Sequence, residues 1–113
     1  MMTFNQWQKE VDGWIRDVGV RYFDVKTNTI LLMEECGEFA RYIARVHGEQ
    51  SFKKTRSDEE AKMEIQSEMA DIFFVLTCLA NQMDISIEDI LKENIKKKTW
   101  RDKDRHQANK KLK

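Results

Sequence analysis

The sequence predicts an all-α protein, and three features of its 113 residues lead to this prediction. Proline is absent and glycine occurs only four times, so few residues interrupt a helix. Apolar residues recur at spacings of three and four along most of the chain, as they do on the buried face of a helix. The segments "TFNQ", "SDEE" and "SIED" each have the spacing of a residue pair that caps a helix N-terminus.

The first helix is predicted to begin after Thr3, with Gln6 completing its cap, and to end before a connection that starts at Gly19. Its apolar residues share one face: Phe4, Trp7, Val11, Trp14 and Ile15. The second helix is predicted to start near Thr27–Thr29 and to run to about His47.

The third helix is predicted to follow Ser57 and to run to about Met83, and the fourth to follow Ser86 and to run to about Trp100. Because the connection between them is short, we expect these two helices to lie antiparallel. The pattern predicts a four-helix-bundle-like domain over residues 1–105 and a basic tail over 106–113. So short a chain buries little surface alone, which favours a dimer or tetramer.

The composition argues against several classes of partner. The formal net charge is zero, which argues against nucleic-acid binding, and no apolar run is long enough to cross a membrane. The first residues lack the pattern of a signal peptide. Cys36 and Cys78 lie within apolar helical patterns and are interpreted as buried thiols. We therefore expect a cytoplasmic protein without nucleic-acid or membrane partners.

Two pairs of acidic residues lie beside apolar faces of the second and third helices. Glu35 and Glu38 form one pair and Glu68 and Asp71 the other, each spaced by three so that both carboxylates leave the same helix face. Facing carboxylates repel one another unless basic side chains or a hard divalent cation lie between them. The basic alternatives on these helices are Arg41, Arg45 and Lys62.

These acidic motifs resemble a known family. Glu34-Glu35-x-x-Glu38 followed by Glu68-x-x-Asp71 is similar to the EExxE…ExxD pattern of the small MazG-like all-α nucleoside triphosphate pyrophosphohydrolases. The segments "LLMEECGEFAR", "EMADIFFVLTCLANQMDISIED" and "RDKDR" extend the resemblance over most of the chain. The same superfamily contains dimeric dUTPases and phosphoribosyl-ATP pyrophosphohydrolases, which are alternatives for this chain, although its shortness and the segment "RDKDR" favour the MazG-like group.

The resemblance implies Mg²⁺-dependent cleavage of (deoxy)nucleoside triphosphates between the α and β phosphates, giving a monophosphate and pyrophosphate, with Mn²⁺ as an alternative ion. It implies that Glu35, Glu38, Glu68 and Asp71 bind the metal. Glu34 matches the additional acid of the first motif, which could orient water or help to bind a further ion. The resemblance also implies a homodimer or homotetramer.

Basic side chains are expected to bind the phosphates: Lys53, Lys54, Lys97 and Arg101. Thr99 stands about where related sequences carry asparagine. Aromatic residues that could stack on a base are Trp7, Trp14, Tyr22, Phe23 and Trp100. A core or interface role is favoured for Trp7 and Trp14, and no general base is assigned.

Two other functions fit the pattern less well. A di-iron site would require Glu-x-x-His motifs, but His47 and His106 lie elsewhere. A helical interaction module that binds a metal or nucleotide without turnover is less favoured, because all four acidic residues of the resembled motifs are present.

Overall fold

The computed structural model describes residues 1–113 and contains four α-helices and no strand, which confirms the all-α prediction. The helices are α1 (Phe4–Asp17), α2 (Val25–Val46), α3 (Asp58–Gln82) and α4 (Ile87–Asp102), followed by a short 3₁₀ helix at Lys110–Leu112. No helix taken singly has the length and apolar character needed to cross a membrane; only α3 and α4 counted together, across a sharp bend, meet those two criteria.

Polar side chains cap the helices at their N-termini. Thr3 and Gln6 form the predicted reciprocal cap of α1, and Ser57 and Ser86 accept hydrogen bonds from backbone N–H groups in the first turns of α3 and α4. The α2 helix begins a few residues before its predicted start near Thr27–Thr29, because Asp24 caps the helix and Val25 is its first residue. An aspartate in this position satisfies the free N–H groups of a first turn as serine or threonine would.

The α2 and α3 helices form the largest helix pair, an antiparallel hairpin joined by the loop 47–57. The α1 helix packs across α3 on another side. Val11, Ile15 and Cys78 form the buried core between α1 and α3, and Trp7 and Phe74 lie against it. Burial raises the pKa of the Cys78 thiol to about 11, as expected for a thiol in the core.

The prediction that α4 lies antiparallel to α3 is wrong, because the two helices meet at a bend of 103° and α4 packs on α1. Asp84 adopts a left-handed backbone conformation with φ of 56°, which turns the chain away from α3. The Gln8 side chain of α1 donates to the carbonyl of Ile85 and accepts from the N–H of Ile87. These bonds fix the start of α4 on α1, so one chain does not form a complete four-helix bundle.

Tyr22 links the segment before α2 to both α1 and α3. Its hydroxyl donates to Asp12 at 2.7 Å and accepts from the Asn81 amide at 3.1 Å. Burial and the hydrogen bond to Asp12 raise the pKa of Tyr22 to about 12.

Replacement of Tyr22 by phenylalanine is expected to lower the free energy of unfolding by about 1–2 kcal/mol, since it removes both hydrogen bonds but keeps the ring. Urea denaturation followed by circular dichroism measures the effect. An unchanged unfolding midpoint would mean that these bonds do not hold α1 against α3.

Candidate functional site

Three carboxylates meet in the groove between the antiparallel helices α2 and α3. Glu35 projects from α2, Glu68 and Asp71 project from α3, and one oxygen atom from each lies within 4.8 Å of the others. The spacing of three residues between Glu68 and Asp71 places both on one face of α3. The hairpin then brings that face against the side of α2 that carries Glu35.

The other two predicted acids of α2 lie differently. Glu38 is exposed, but its carboxyl group is close enough to Glu68 to raise the pKa of that residue. Glu34 is exposed and lies outside the group formed by Glu35, Glu68 and Asp71. The structure therefore brings together four of the five predicted acids.

No basic side chain neutralises these carboxylates. None of the acids that surround Glu68 takes part in an ion pair, so the predicted alternative partners Arg41, Arg45 and Lys62 do not fill that role. Glu35 Oε2 and Glu68 Oε2 are buried and have no hydrogen-bond partner. Buried oxygen atoms with no partner are costly and leave coordination positions free for a ligand.

The donor set suits a hard divalent cation. Two oxygen ligands on opposite sides of Mg²⁺ lie about 4.2 Å apart, since each metal–oxygen bond is about 2.1 Å. Adjacent ligands lie closer together, about 3 Å apart, so the oxygens of Glu35, Glu68 and Asp71, which lie within 4.8 Å of one another, are near the spacing of ligands to one ion. A soft metal would favour sulfur or imidazole ligands, which this group lacks.

Glu68 has the most perturbed acidity in the group. Burial is the largest cause, and the adjacent carboxyl groups of Glu35 and Glu38 add to it, raising the pKa of Glu68 from 4.5 to about 8. Ionisation of Glu68 therefore costs free energy in the folded protein when no cation is present.

Replacement of Glu68 by glutamine is expected to stabilise the metal-free protein at about pH 8, by about 1–2 kcal/mol once solvent screening is allowed for. Below a pH of about 4.5 the carboxyl is protonated in both the folded and the unfolded chain. As the pH rises towards 8 only the unfolded chain ionises freely, so wild-type stability falls and that of Glu68→Gln falls less.

Urea denaturation in EDTA at about pH 5 and about pH 8 measures this difference. Equal losses of stability between the two pH values in both proteins would contradict the electrostatic strain assigned to Glu68.

The predicted phosphate-binding cations occupy two regions. Lys53 and Lys54 are exposed in the loop 47–57 at one end of the α2–α3 groove. Lys97 and Arg101 are exposed on α4, which diverges from that groove. Arg101 donates to both carboxylate oxygens of Asp102, which raises the pKa of Arg101.

Most of the predicted base-stacking aromatics have structural contacts. Trp7 donates its indole N–H to Thr77 at 2.8 Å, and Trp14 contacts Phe74 edge to face. Trp7 also packs against the buried core, in agreement with a core role, whereas Trp14 is 48% exposed and its role in an interface stays a prediction. Tyr22 is held in the hydrogen bonds described above. Phe23 and Trp100 are exposed, at 58% and 80% respectively.

Sequence reasoning missed a second group beside the carboxylates, which we call the arginine–aromatic cluster. It consists of Tyr42, Arg45, Phe52, Arg56 and Glu64. Spacing in the sequence could have indicated part of this cluster. Tyr42 follows Glu38 by four residues and Glu64 precedes Glu68 by four, and side chains at that spacing share a helix face. Phe52 and Arg56 lie in a loop, where no periodicity indicates which way a side chain points.

Known proteins resemble this chain in sequence and in fold. Residues 23–106 match the MazG nucleotide pyrophosphohydrolase domain. The chain is 38% identical to YpjD of Bacillus subtilis strain 168 over 103 residues, and this aligned region covers 91% of this chain and 89% of YpjD. It is 35% identical over 72 residues to YvdC of the same organism, covering 62% of this chain and 68% of YvdC.

Two crystal structures have closely similar folds. One is YpjD from Bacillus subtilis, with a TM-score of 0.74 and 35% identity, covering 86% of this chain and 95% of that one. The other is a Bacillus-conserved MazG protein, a nucleotide pyrophosphohydrolase, with a TM-score of 0.74 and 32% identity, covering 93% of this chain and 98% of that one.

Proposed function

Since the chain belongs to the MazG nucleotide pyrophosphohydrolase family and is a hydrolase acting on nucleotides, we propose that it cleaves (deoxy)nucleoside triphosphates between the α and β phosphates in the presence of Mg²⁺. The products are a nucleoside monophosphate and pyrophosphate. The observation that carries this proposal is the group of Glu35, Glu68 and Asp71, which have mutually close oxygens and no basic partner.

In this proposal Glu35, Glu38, Glu68 and Asp71 hold Mg²⁺, and Mn²⁺ can replace it. When bound, the cation would offset the charge of the carboxylates and of the phosphates and favour the attack of water on phosphorus. Without a cation, the acidic groove would repel a triphosphate. The protein residues supply the oxygen ligands and fix them on two packed helices, which limits their movement.

Lys53 and Lys54 are proposed to bind the remaining phosphate charge from the loop 47–57. Arg56 follows them in that loop and pairs with Glu64 of α3 at 3.1 Å, which holds the loop beside the groove. Lys97 and Arg101 lie on the diverging α4, so a role in phosphate binding requires α4 of another subunit to approach the groove. We take residues 1–105 as the catalytic domain and 106–113 as a tail.

We also propose that the protein assembles as a homodimer or homotetramer. Its radius of gyration is 18.0 Å, whereas about 13 Å is expected for a compact chain of this length. Only 8 of 113 residues are buried. Apolar side chains from α3, its C-terminal cap and α4 line an open cleft and are 43–54% exposed; this apolar face comprises Phe73, Leu76, Met83, Ile90 and Leu91. An exposed apolar patch of this kind is typical of a protein interface.

The activity is tested with a panel of canonical and modified nucleoside triphosphates, including dUTP and phosphoribosyl-ATP, in Mg²⁺, Mn²⁺ or EDTA. Monophosphate and pyrophosphate are the expected products, and EDTA should abolish their release. Orthophosphate as the first product would contradict α–β cleavage. A strong preference for dUTP or phosphoribosyl-ATP would assign the chain to one of those activities, and no turnover of any compound would favour a binding module.

A further inference from the structure

The arginine–aromatic cluster forms a stacking surface at the loop end of the α2–α3 groove. The Arg56 guanidinium lies 4.7 Å from the centre of the Phe52 ring and 5.8 Å from that of Tyr42, and Arg45 lies 5.7 Å from Phe52. The two rings are 6.3 Å apart and tilted by 40°. Aromatic rings with guanidinium groups beside them suit a flat, polarisable ligand.

Two buried polar atoms in the cluster have no partner. Arg45 Nε is a donor without an acceptor, and Glu64 Oε2 is an acceptor without a donor. The second oxygen of Glu64 receives the hydrogen bond from Arg56. Unpaired buried groups cost free energy, so a ligand that supplies one acceptor and one N–H donor would be favoured here.

The cluster lies about one helical turn from the carboxylates. Tyr42 follows Glu38 by four residues and Glu64 precedes Glu68 by four, a rise of about 6 Å along each helix. Both residues face the same groove as the carboxylates, because side chains four apart share a helix face. A ligand that spans the two groups would have its phosphate at the carboxylates, where the proposed cation would offset the negative charge, and its flat part at the rings.

We propose that the arginine–aromatic cluster binds the nucleobase of the substrate, with the α-phosphate at the carboxylates and the sugar between them. This inference rests on the proposed function, since it assigns one part of that substrate. The flat face of a base can stack on Phe52 and Tyr42. Its edge combines an acceptor, which can bind Arg45 Nε, with an N–H group, which can donate to Glu64 Oε2. A phosphate would suit Arg45 but would be repelled by Glu64, so the base fits the cluster better.

The test measures equilibrium binding and does not depend on turnover. Isothermal titration calorimetry with Mg²⁺ compares the four deoxynucleoside monophosphates with deoxyribose 5-phosphate, which has no base. Wild-type protein is expected to bind at least one nucleotide about 10-fold more tightly than the sugar phosphate. Arg45→Met should remove most of that difference and leave sugar-phosphate binding unchanged. Glu64→Gln also weakens the pair with Arg56 that holds the loop, so it should lower the affinity for the nucleotide more than the affinity for the sugar phosphate. The matched controls are Arg41→Gln and Glu60→Gln, each one turn away on an exposed position.

The outcomes separate the inference from the proposed function. Equal binding of nucleotides and deoxyribose 5-phosphate by the wild type, or an unchanged preference in both variants, would overturn the base assignment. An equal loss of affinity for all ligands in both variants would also overturn the base assignment, because such a loss would mean that the cluster only anchors the loop. Base-dependent binding without hydrolysis of any triphosphate would support the inference and reject the proposed catalytic activity.

Discussion

Replacement of Asp71 by asparagine is expected to lower the rate of pyrophosphate release about 100-fold or more while leaving the helical fold intact. Asparagine has nearly the same shape as aspartate, but it contributes no negative charge to the group that it forms with Glu35 and Glu68. The affinity for Mg²⁺ should fall with the charge of the site. Asp71 is exposed, so the substitution leaves no buried group unpaired and stability should change little.

The measurement is steady-state release of pyrophosphate across a range of Mg²⁺ concentrations, with circular dichroism to verify the fold. Glu60→Gln, an exposed carboxylate near the start of the same helix, is the matched control and should retain wild-type activity. Glu34→Gln should lower the rate of pyrophosphate release less than Asp71→Asn does, because Glu34 lies outside the group formed by Glu35, Glu68 and Asp71. Full activity of Asp71→Asn with a normal Mg²⁺ requirement would show that this carboxylate does not hold the ion.

The sequence was sufficient to predict the four helices and to assign the acidic pairs to the second and third of them. Capping pairs and apolar spacing are local signals, so they located the starts of α1, α3 and α4. The acidic motifs predicted a MazG-like family member, which the comparisons confirm. Spacing on a helix also predicted that Glu68 and Asp71 share a face, and the α2–α3 hairpin brings Glu35 to them.

The direction of α4 could not be predicted because it depends on contacts between distant residues. The short connection after α3 suggested an antiparallel partner, but Gln8, almost eighty residues earlier, bonds to the start of α4 and holds it on α1. The contact between Arg56 and Phe52 was missed for a similar reason, since both belong to a loop. A loop residue carries no periodic signal that relates it to a helix face.

Replacement of Phe73 by glutamate is expected to convert the proposed homodimer or homotetramer to a monomer and to lower the unfolding temperature. Phe73 is 54% exposed on the apolar face, so a second subunit that covers this face would bury the ring. A carboxylate in its place would lose its water without gaining a partner, at a cost of about 3–5 kcal/mol. That cost corresponds to a loss of at least 100-fold in the affinity between subunits.

Sedimentation equilibrium over a range of protein concentrations measures this association directly. Ile90→Glu, on α4, should have the same effect, because Ile90 lines the same cleft from another helix. Met63→Glu is the matched control, since Met63 is also exposed on α3 but does not line the cleft. Assembly that survives both Phe73→Glu and Ile90→Glu would place the interface elsewhere. Because Phe73 and Ile90 lie on different helices, loss of assembly in both variants would indicate that the interface spans α3 and α4, and loss in one alone would restrict it to that helix.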